Sequence, residues 1–160
     1  ASWEGAKDIE NELHRWASML NAPGARVIRE LGLVGATDVT GFGLLGHACE
    51  MIENQDVGIV IDSAAVPLLP GARGAAAEGL IPAGMYRNRD FVGSLCRPDP
   101  SVPADLLDLL FDPQTSGGLL VALEEERAEM LLRDLHERGV DDAAIVGRVA
   151  GSSSPGIIIR

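Results

Sequence analysis

Lysine is nearly missing from this chain: of 13 basic residues among 160, only Lys7 is a lysine. A mechanism that needs a lysine to grip a phosphate or form an imine has a single, poorly placed candidate near the start of the chain. Aromatic residues are as scarce, with three Phe, one Tyr and two Trp, too few to build stacking platforms for single-stranded nucleic acid. The two cysteines, Cys49 and Cys96, have no paired spacing, which excludes a disulfide framework and a structural zinc site. No apolar run approaches the roughly 20 residues of a membrane span, and no signal peptide opens the chain. The expectation is a soluble domain of a reducing compartment, the cytoplasm. Positive charge is in deficit too, 13 basic against 24 acidic residues for a net −11. A surface that negative repels phosphate backbones and anionic lipid, so neither a nucleic-acid nor a membrane partner is expected. A phosphate ligand would need a metal ion or backbone amides to bridge it.

What is present is globular. The hydrophobic fraction is 46% and the charged fraction 23%, and the length suits one domain able to bury about 70% of its unfolded surface. Ile9, Leu13, Trp16, Ala17 and Leu20 recur at helical spacing. Pro23 opens a second helix that stops at Gly32, and Phe42, Leu45, Cys49 and Ile52 mark a third. Gly58 to Asp62 is the clearest strand. A short Ala-rich helix is expected between Pro67 and Gly79. Ile81 to Pro103 then reads as irregular, broken by Pro82, Pro98, Pro100 and Pro103, and long loops of that kind are more often functional than idle. Leu106 to Leu110 suggests a short helix, Leu119 to Leu123 a strand, and residues 124–138 a helix with three Glu in its first turn. Ala144 to Val149 and Gly156 to Ile159 close the chain as strands, joined closely enough across Gly151 to Pro155 to form an antiparallel pair. The tally is α+β, a mostly antiparallel sheet covered by helices.

Two compact loops stand out. Gly41-Phe42-Gly43-Leu44-Leu45-Gly46, with Asp62 further on, nearly matches the dinucleotide-binding fingerprint. That fingerprint needs a buried strand before the glycines, and residues 23–32 read as helix, so it is rejected. In the same loop Thr37, Asp38 and Thr40 sit beside glycines at the start of a helix. Backbone amides and the helix dipole there suit an anion, and Asp38 suits a hard divalent cation. The residues alone nonetheless favour Asp38 or Thr40 as a helix cap. The second loop, Asp112 to Gly118, could form an amide nest for phosphate through Thr115, Ser116, Gly117 and Gly118. From the residues alone a tight turn feeding the strand, with Gly117 and Gly118 supplying positive φ, is favoured. His47 and Glu50, three apart on the third helix, could share a metal, although a lone His-x-x-Glu is a weak signal. His14 and His136, among charged neighbours, are expected to be solvated.

At these loops the chain resembles a known family. Ala36-Thr37-Asp38-Val39-Thr40-Gly41-Phe42-Gly43-Leu44-Leu45-Gly46-His47, then Glu50-Met51, is similar to the signature of selenophosphate synthetase (selenide, water dikinase). Asp112-Pro113-Gln114-Thr115-Ser116-Gly117-Gly118-Leu119-Leu120 resembles that family's second C-terminal signature. Pro67 to Ala72 and Ile145 to Val149 fit its pattern, in order and with compatible spacing. The resemblance covers nearly the whole chain and only the C-terminal half of the family's enzymes. It implies the three-layer α/β/α C-terminal fold of aminoimidazole-ribonucleotide-synthetase-related proteins, with a partly ferredoxin-like sheet. It also implies a role in making selenophosphate, AMP and orthophosphate from selenide, ATP and water. Partners implied are the N-terminal half, which carries the reactive Cys or selenocysteine and the essential Lys, and a second copy in a full-length homodimer. By the same resemblance Asp38 becomes a magnesium ligand first and a cap second. Thr37, Thr40, Gly41 and Gly43 become candidates around the magnesium–ATP site, with Thr115, Ser116, Gly117 and Gly118 at the domain cleft.

The chain departs from the family at two points. Where the family often has Pro-Gly-Gly-Thr-x-x-Asn, this chain has Pro82-Ala83-Gly84-Met85-Tyr86-Arg87-Asn88, without the Thr hydroxyl. The Cys common before the first Thr is Ala36. Other readings are a sibling of the superfamily (the cyclo-ligase of purine synthesis, thiamine-phosphate kinase or a hydrogenase-maturation dehydratase) and a non-catalytic module that binds a partner domain. In the first reading the chain alone is inactive.

Overall fold

The computed structural model describes residues 3–151 and 156–160. The first part of the chain forms helices α1 (Trp3–Ser18) and α2 (Ala22–Glu30), strand β1 (Ala36–Asp38), helix α3 (Gly43–Ile52) and strand β2 (Val57–Ile61). Helices α4 (Ala72–Ala77) and α5 (Ala83–Val92), strand β3 (Cys96–Pro98) and helix α6 (Ala104–Leu110) follow. Strand β4 (Leu119–Val121), helix α7 (Glu125–Glu137) and strands β5 (Gly147–Gly151) and β6 (Gly156–Ile159) complete it. The α+β class is as expected.

The sheet is not mostly antiparallel. Four strands run in the order β3-β6-β2-β5, where β6 is parallel to both β3 and β2 and only β5 is antiparallel to β2. Strands β5 and β6 therefore do not pair with each other as expected, because β2 lies between them; their link across residues 152–155 lies outside the described residues. Ile157 and Ile159 of β6 are fully buried, as suits a strand flanked by parallel neighbours and covered by helices. With Leu45, Ala48 and Cys49 of α3, Met85 and Val92 of α5, and Leu110 and Phe111, they form the core. Truncating a side chain as enclosed as Leu45 costs about 2–5 kcal/mol.

A second sheet is a two-stranded antiparallel ribbon of β1 and β4, pairing Ala36 with Val121 and Asp38 with Leu119. Helices α2 and α7 meet behind it, where Gly24 lies against Leu119 and Leu135. A strand does precede the glycines of the first loop, but it has three residues and belongs to this ribbon. The dinucleotide-binding reading stays rejected on that ground.

The stretch from Ile81 to Pro103 is not irregular. Helix α5 runs through it, burying Met85, Asn88 and Val92. Pro82 and Pro103 act as N-caps of α5 and α6 with extended backbone, a position where the missing N–H removes no helical hydrogen bond. Helix α1 turns its apolar stripe outward: Ile9 is 59% and Leu13 52% exposed, and Leu20 just beyond it 77%.

Candidate functional site

The two signature loops meet. Pairing of Asp38 with Leu119 at the end of the ribbon sets residues 39–43 beside residues 111–118. The Val39 N–H donates to the Gly118 carbonyl at 2.9 Å, and the Gln114 N–H donates to the Thr40 carbonyl at 3.0 Å. The Asn21 side-chain amide, ahead of α2, donates to the Gly117 carbonyl at 2.9 Å. From α5, Asn88 is buried and its Nδ2 donates to the carbonyls of Gly41 and Phe111, each at 2.9 Å. The segment from Pro82 to Asn88 thus has a structural task although Met85 replaces the family's Thr. Met85 fills the core while Asn88 bridges the loops.

Close approach explains two of the glycines. A Cβ on Gly117 would overlap the Val39 carbonyl oxygen, and one on Gly43 would lie 2.7–2.9 Å from backbone atoms of Phe111 and Asp112. Gly43 also has φ +69°, a region that favours glycine. Neither Gly117 nor Gly118 has positive φ, so the expected turn chemistry is absent there. Gly117 is required for space.

A hydroxyl–imidazole–carboxylate chain runs from Thr40, ahead of helix α3, to His47 and Glu50 on it. Thr40 Oγ1 lies 3.1 Å from His47 Nε2, and His47 Nδ1 lies 2.8 Å from Glu50 Oε2. His47 is buried, whereas the Glu50 side chain is 46% exposed. The Phe42 ring packs against the imidazole at 5.6 Å and stacks on Phe91 at 5.6 Å. With both ring nitrogens engaged, His47 and Glu50 hold each other rather than share a metal. His47 and Glu50, three apart on α3, share a helical face by their spacing; Thr40 lies ahead of the helix, and no spacing rule joins it to them.

The cap reading of Asp38 and Thr40 fails. Phe42 is the N-cap of α3 and no side chain caps it; Thr40 closes the turn through its carbonyl, which accepts the Gly43 N–H at 2.9 Å. Asp38 is exposed, and its carboxylate has no hydrogen-bond or ion-pair partner among the described residues. No cluster of three or more His, Cys, Asp or Glu able to hold a metal occurs among the described residues. Among the described residues Asp38 is thus a lone free carboxylate, short of a complete site for a hard cation. Thr37 donates its hydroxyl to the Asp38 carbonyl at 3.1 Å. Thr115 and Ser116 are exposed, and neither hydroxyl is hydrogen-bonded among the described residues.

Two grooves flank the joined loops. One, of about 560 Å³, is bordered by Gly41, Asp112, Gln114 and Thr115 on one side and by Leu13, Leu69 and Leu80 on the other. The second, of about 650 Å³, is bordered by Thr37, Asp38, Arg29 and Leu119. Asp38 and Thr37 thus open on a different groove from Gly41 and Thr115. Desolvation raises the Asp112 carboxyl above its ordinary range, partly offset by a hydrogen bond from Gln114 Nε2 at 2.8 Å. Burial, the larger cause in each case, pushes both thiols up to about 11, with Glu50 adding to it at Cys49 and Cys49 adding to it at Cys96. At neutral pH both stay protonated and unreactive. His136 is not merely solvated, since its Nε2 lies 2.9 Å from the Ala143 carbonyl.

The profile of a family described as AIR synthase related protein, C-terminal domain, matches residues 5–160. The chain belongs to that family. Three similar relatives bear the name selenide, water dikinase. That of Nitratidesulfovibrio vulgaris strain DP4 is 48% identical over 123 residues, 77% of this chain and 35% of the relative. That of Porphyromonas gingivalis strain ATCC 33277 is 48% identical over 130 residues, 81% and 37%. That of Pelobacter propionicus is 41% identical over 153 residues, 96% and 44%. The chain thus spans less than half the length of these relatives. Among solved structures, E. coli HypE matches 88% of this chain and 35% of its own with a TM-score of 0.62 at 21% identity, so the AIR synthase-related domain shares HypE's fold. No helix of the described residues is long and apolar enough to cross a membrane. Asn21, Asn88 and Gln114 were not singled out by the sequence. Each acts through backbone carbonyls or amides brought in from elsewhere in the chain, which no local pattern records.

Proposed function

We propose that this chain is the C-terminal half of a selenophosphate synthetase, which forms selenophosphate, AMP and orthophosphate from selenide, ATP and water. The observation that carries the reading is the joining of the two signature loops, Val39 to Gly118 and Thr40 to Gln114, in a chain 41–48% identical to relatives named selenide, water dikinase. In this reading the joined loops form one wall of a magnesium–ATP cleft whose other wall is the N-terminal half. Asp38, exposed and unengaged, supplies one carboxylate to magnesium, and the remaining ligands come from the other half. The ion, when bound, would neutralise phosphate charge that this acidic domain repels. In this reading the ligand spans both grooves, with Thr37 beside Asp38 on one and Gly41 and Thr115 on the other, and with Thr40, Gly43, Ser116, Gly117 and Gly118 belonging to the joined loops between them. Lacking a reactive thiolate and a placed lysine, the chain alone makes no selenophosphate. The outward apolar stripe of α1 supports a partner surface for the other half, and the full-length enzyme is a cytoplasmic homodimer.

The test is phosphorus NMR on the full-length protein with ATP, magnesium and selenide, comparing the natural protein with Asp38→Asn. Selenophosphate and AMP from the natural protein and not from a normally folded Asp38→Asn would support the reading. Absence of selenophosphate from both would move the assignment to a sibling of the superfamily that shares the HypE fold. Equal production by both would remove Asp38 from the metal site.

A further inference from the structure

Thr40 is held through both of its polar groups. Its carbonyl accepts the N–H of Gln114 at 3.0 Å and of Gly43 at 2.9 Å, which fixes the backbone where the two loops join. Its hydroxyl lies 3.1 Å from His47 Nε2, and that contact decides which way the O–H points. Glu50 Oε2, 2.8 Å from Nδ1, belongs to a carboxylate and can only accept, so Nδ1 carries the hydrogen. In the neutral imidazole Nε2 is then left with its lone pair, and the partner that satisfies it is the Thr40 O–H. Water competes little for this bond, because His47 is 7% exposed and the Phe42 ring packs beside it.

An oxygen whose proton is committed inward turns its lone pairs outward. It can accept from an N–H or from water held by a divalent cation, and it has no proton left to give a phosphate oxygen. We propose that His47 is a positioning residue. Its Nε2 accepts the hydrogen bond from the Thr40 O–H, with Glu50 fixing its tautomer, so that Thr40 faces magnesium–ATP as an acceptor for water on the cation and not as a phosphate donor. The inference rests on the selenophosphate synthetase reading, which sets magnesium–ATP before the first loop, and it deepens that reading by assigning Thr40 to the cation's side of the ligand.

The test combines nitrogen-15 NMR of the histidine rings with kinetics on the full-length enzyme. In the natural protein at mildly alkaline pH, His47 should carry its hydrogen on Nδ1 alone. Thr40→Val should move the Nε2 resonance, and Glu50→Ala, at a half-exposed position, should let the tautomers mix. In turnover, Thr40→Val and His47→Ala should each raise KM for magnesium–ATP about tenfold, the scale of one lost hydrogen bond, with kcat less affected. The double variant should be no worse than His47→Ala alone, because one residue acts through the other. His47→Gln, whose amide oxygen can still accept from Thr40, should recover most of the loss, and it also serves if His47→Ala does not fold. Hydrogen on Nε2, additive effects of the two substitutions, or an Nε2 resonance indifferent to Thr40→Val would each overturn the proposal. If the natural protein makes no selenophosphate, the functional reading falls, while the NMR result still decides whether His47 orients Thr40.

Discussion

Val39 and Gly118 share a backbone hydrogen bond of 2.9 Å, and it continues the ribbon pairing of Asp38 with Leu119 one step into the loops. Segments some eighty residues apart in the chain thereby become one surface. The Gly117 α-carbon sits against the Val39 carbonyl beside this bond, so the junction tolerates no side chain there.

Gly117→Ala is therefore expected to push the loops apart and to lower unfolding free energy by about 2–3 kcal/mol. Gly118→Ala is the control. With nothing within 4 Å of its Cβ and no positive φ, it should stay within about 0.5 kcal/mol of the natural protein. Urea denaturation of the two variants side by side checks this, and equal losses would contradict the close-approach argument.

Asn88 offers a second test. Asn88→Ala removes the donor to the carbonyls of Gly41 and Phe111 and should cost about 2 kcal/mol. Asn88→Asp should be worse near pH 7, since a carboxylate would face two carbonyl oxygens with no proton to offer. It should recover below about pH 4, where the protonated acid can donate once. A denaturation midpoint for Asn88→Asp that is independent of pH would count against the bridge.

The cysteines should be silent in the native state. With both thiols moved from 9.0 to about 11, the thiolate fraction at pH 8 falls about a hundredfold, and alkylation should slow at least in proportion. Folding favours the protonated thiol. That stabilisation is complete below about pH 9 and is lost as pH rises through about 11. Stability measured from pH 8 to 11 should therefore decline, and the decline should shrink when Cys49 and Cys96 are both replaced by Ala.

Asp112 gives the carboxyl case. Burial raises its folded value, so its charge destabilises the fold once pH exceeds the ordinary carboxylate range. Asp112→Asn, which keeps an acceptor for Gln114, should be more stable than the natural protein at pH 7, with the gain vanishing below about pH 4. A loss of stability at pH 7 would show that the carboxylate is compensated by a partner.

Much of this was legible in advance because long apolar periods survive tertiary context. The stripes at Leu45, Cys49 and Ile52 and at Leu131 and Leu135 became α3 and α7, and the run from Gly58 became β2. Helix α5 escapes a periodic reading because its buried face, Met85, Asn88 and Val92, includes an amide, and because Pro82 and Pro103 start helices where a proline ordinarily signals a break. Strand β1 escaped because three residues set among glycines carry no period. Strand order could not be read from local pattern at all. The motifs located both loops, but the hydroxyl–imidazole–carboxylate chain is a matter of rotamers, and so is the placing of Asp38 and Gly41 on separate grooves.

Because β2 is bordered by β6 on one side and β5 on the other, both of its neighbours come from residues 147–159. On a ribosome adding about 5–20 residues per second, the finished strand would wait on the order of ten seconds with both edges unpaired. Such a strand is open to pairing with other nascent chains, so the sheet closes as a late, cooperative event in synthesis. A polypeptide stalled before β5 would leave the ribosome with its central strand bare on both edges.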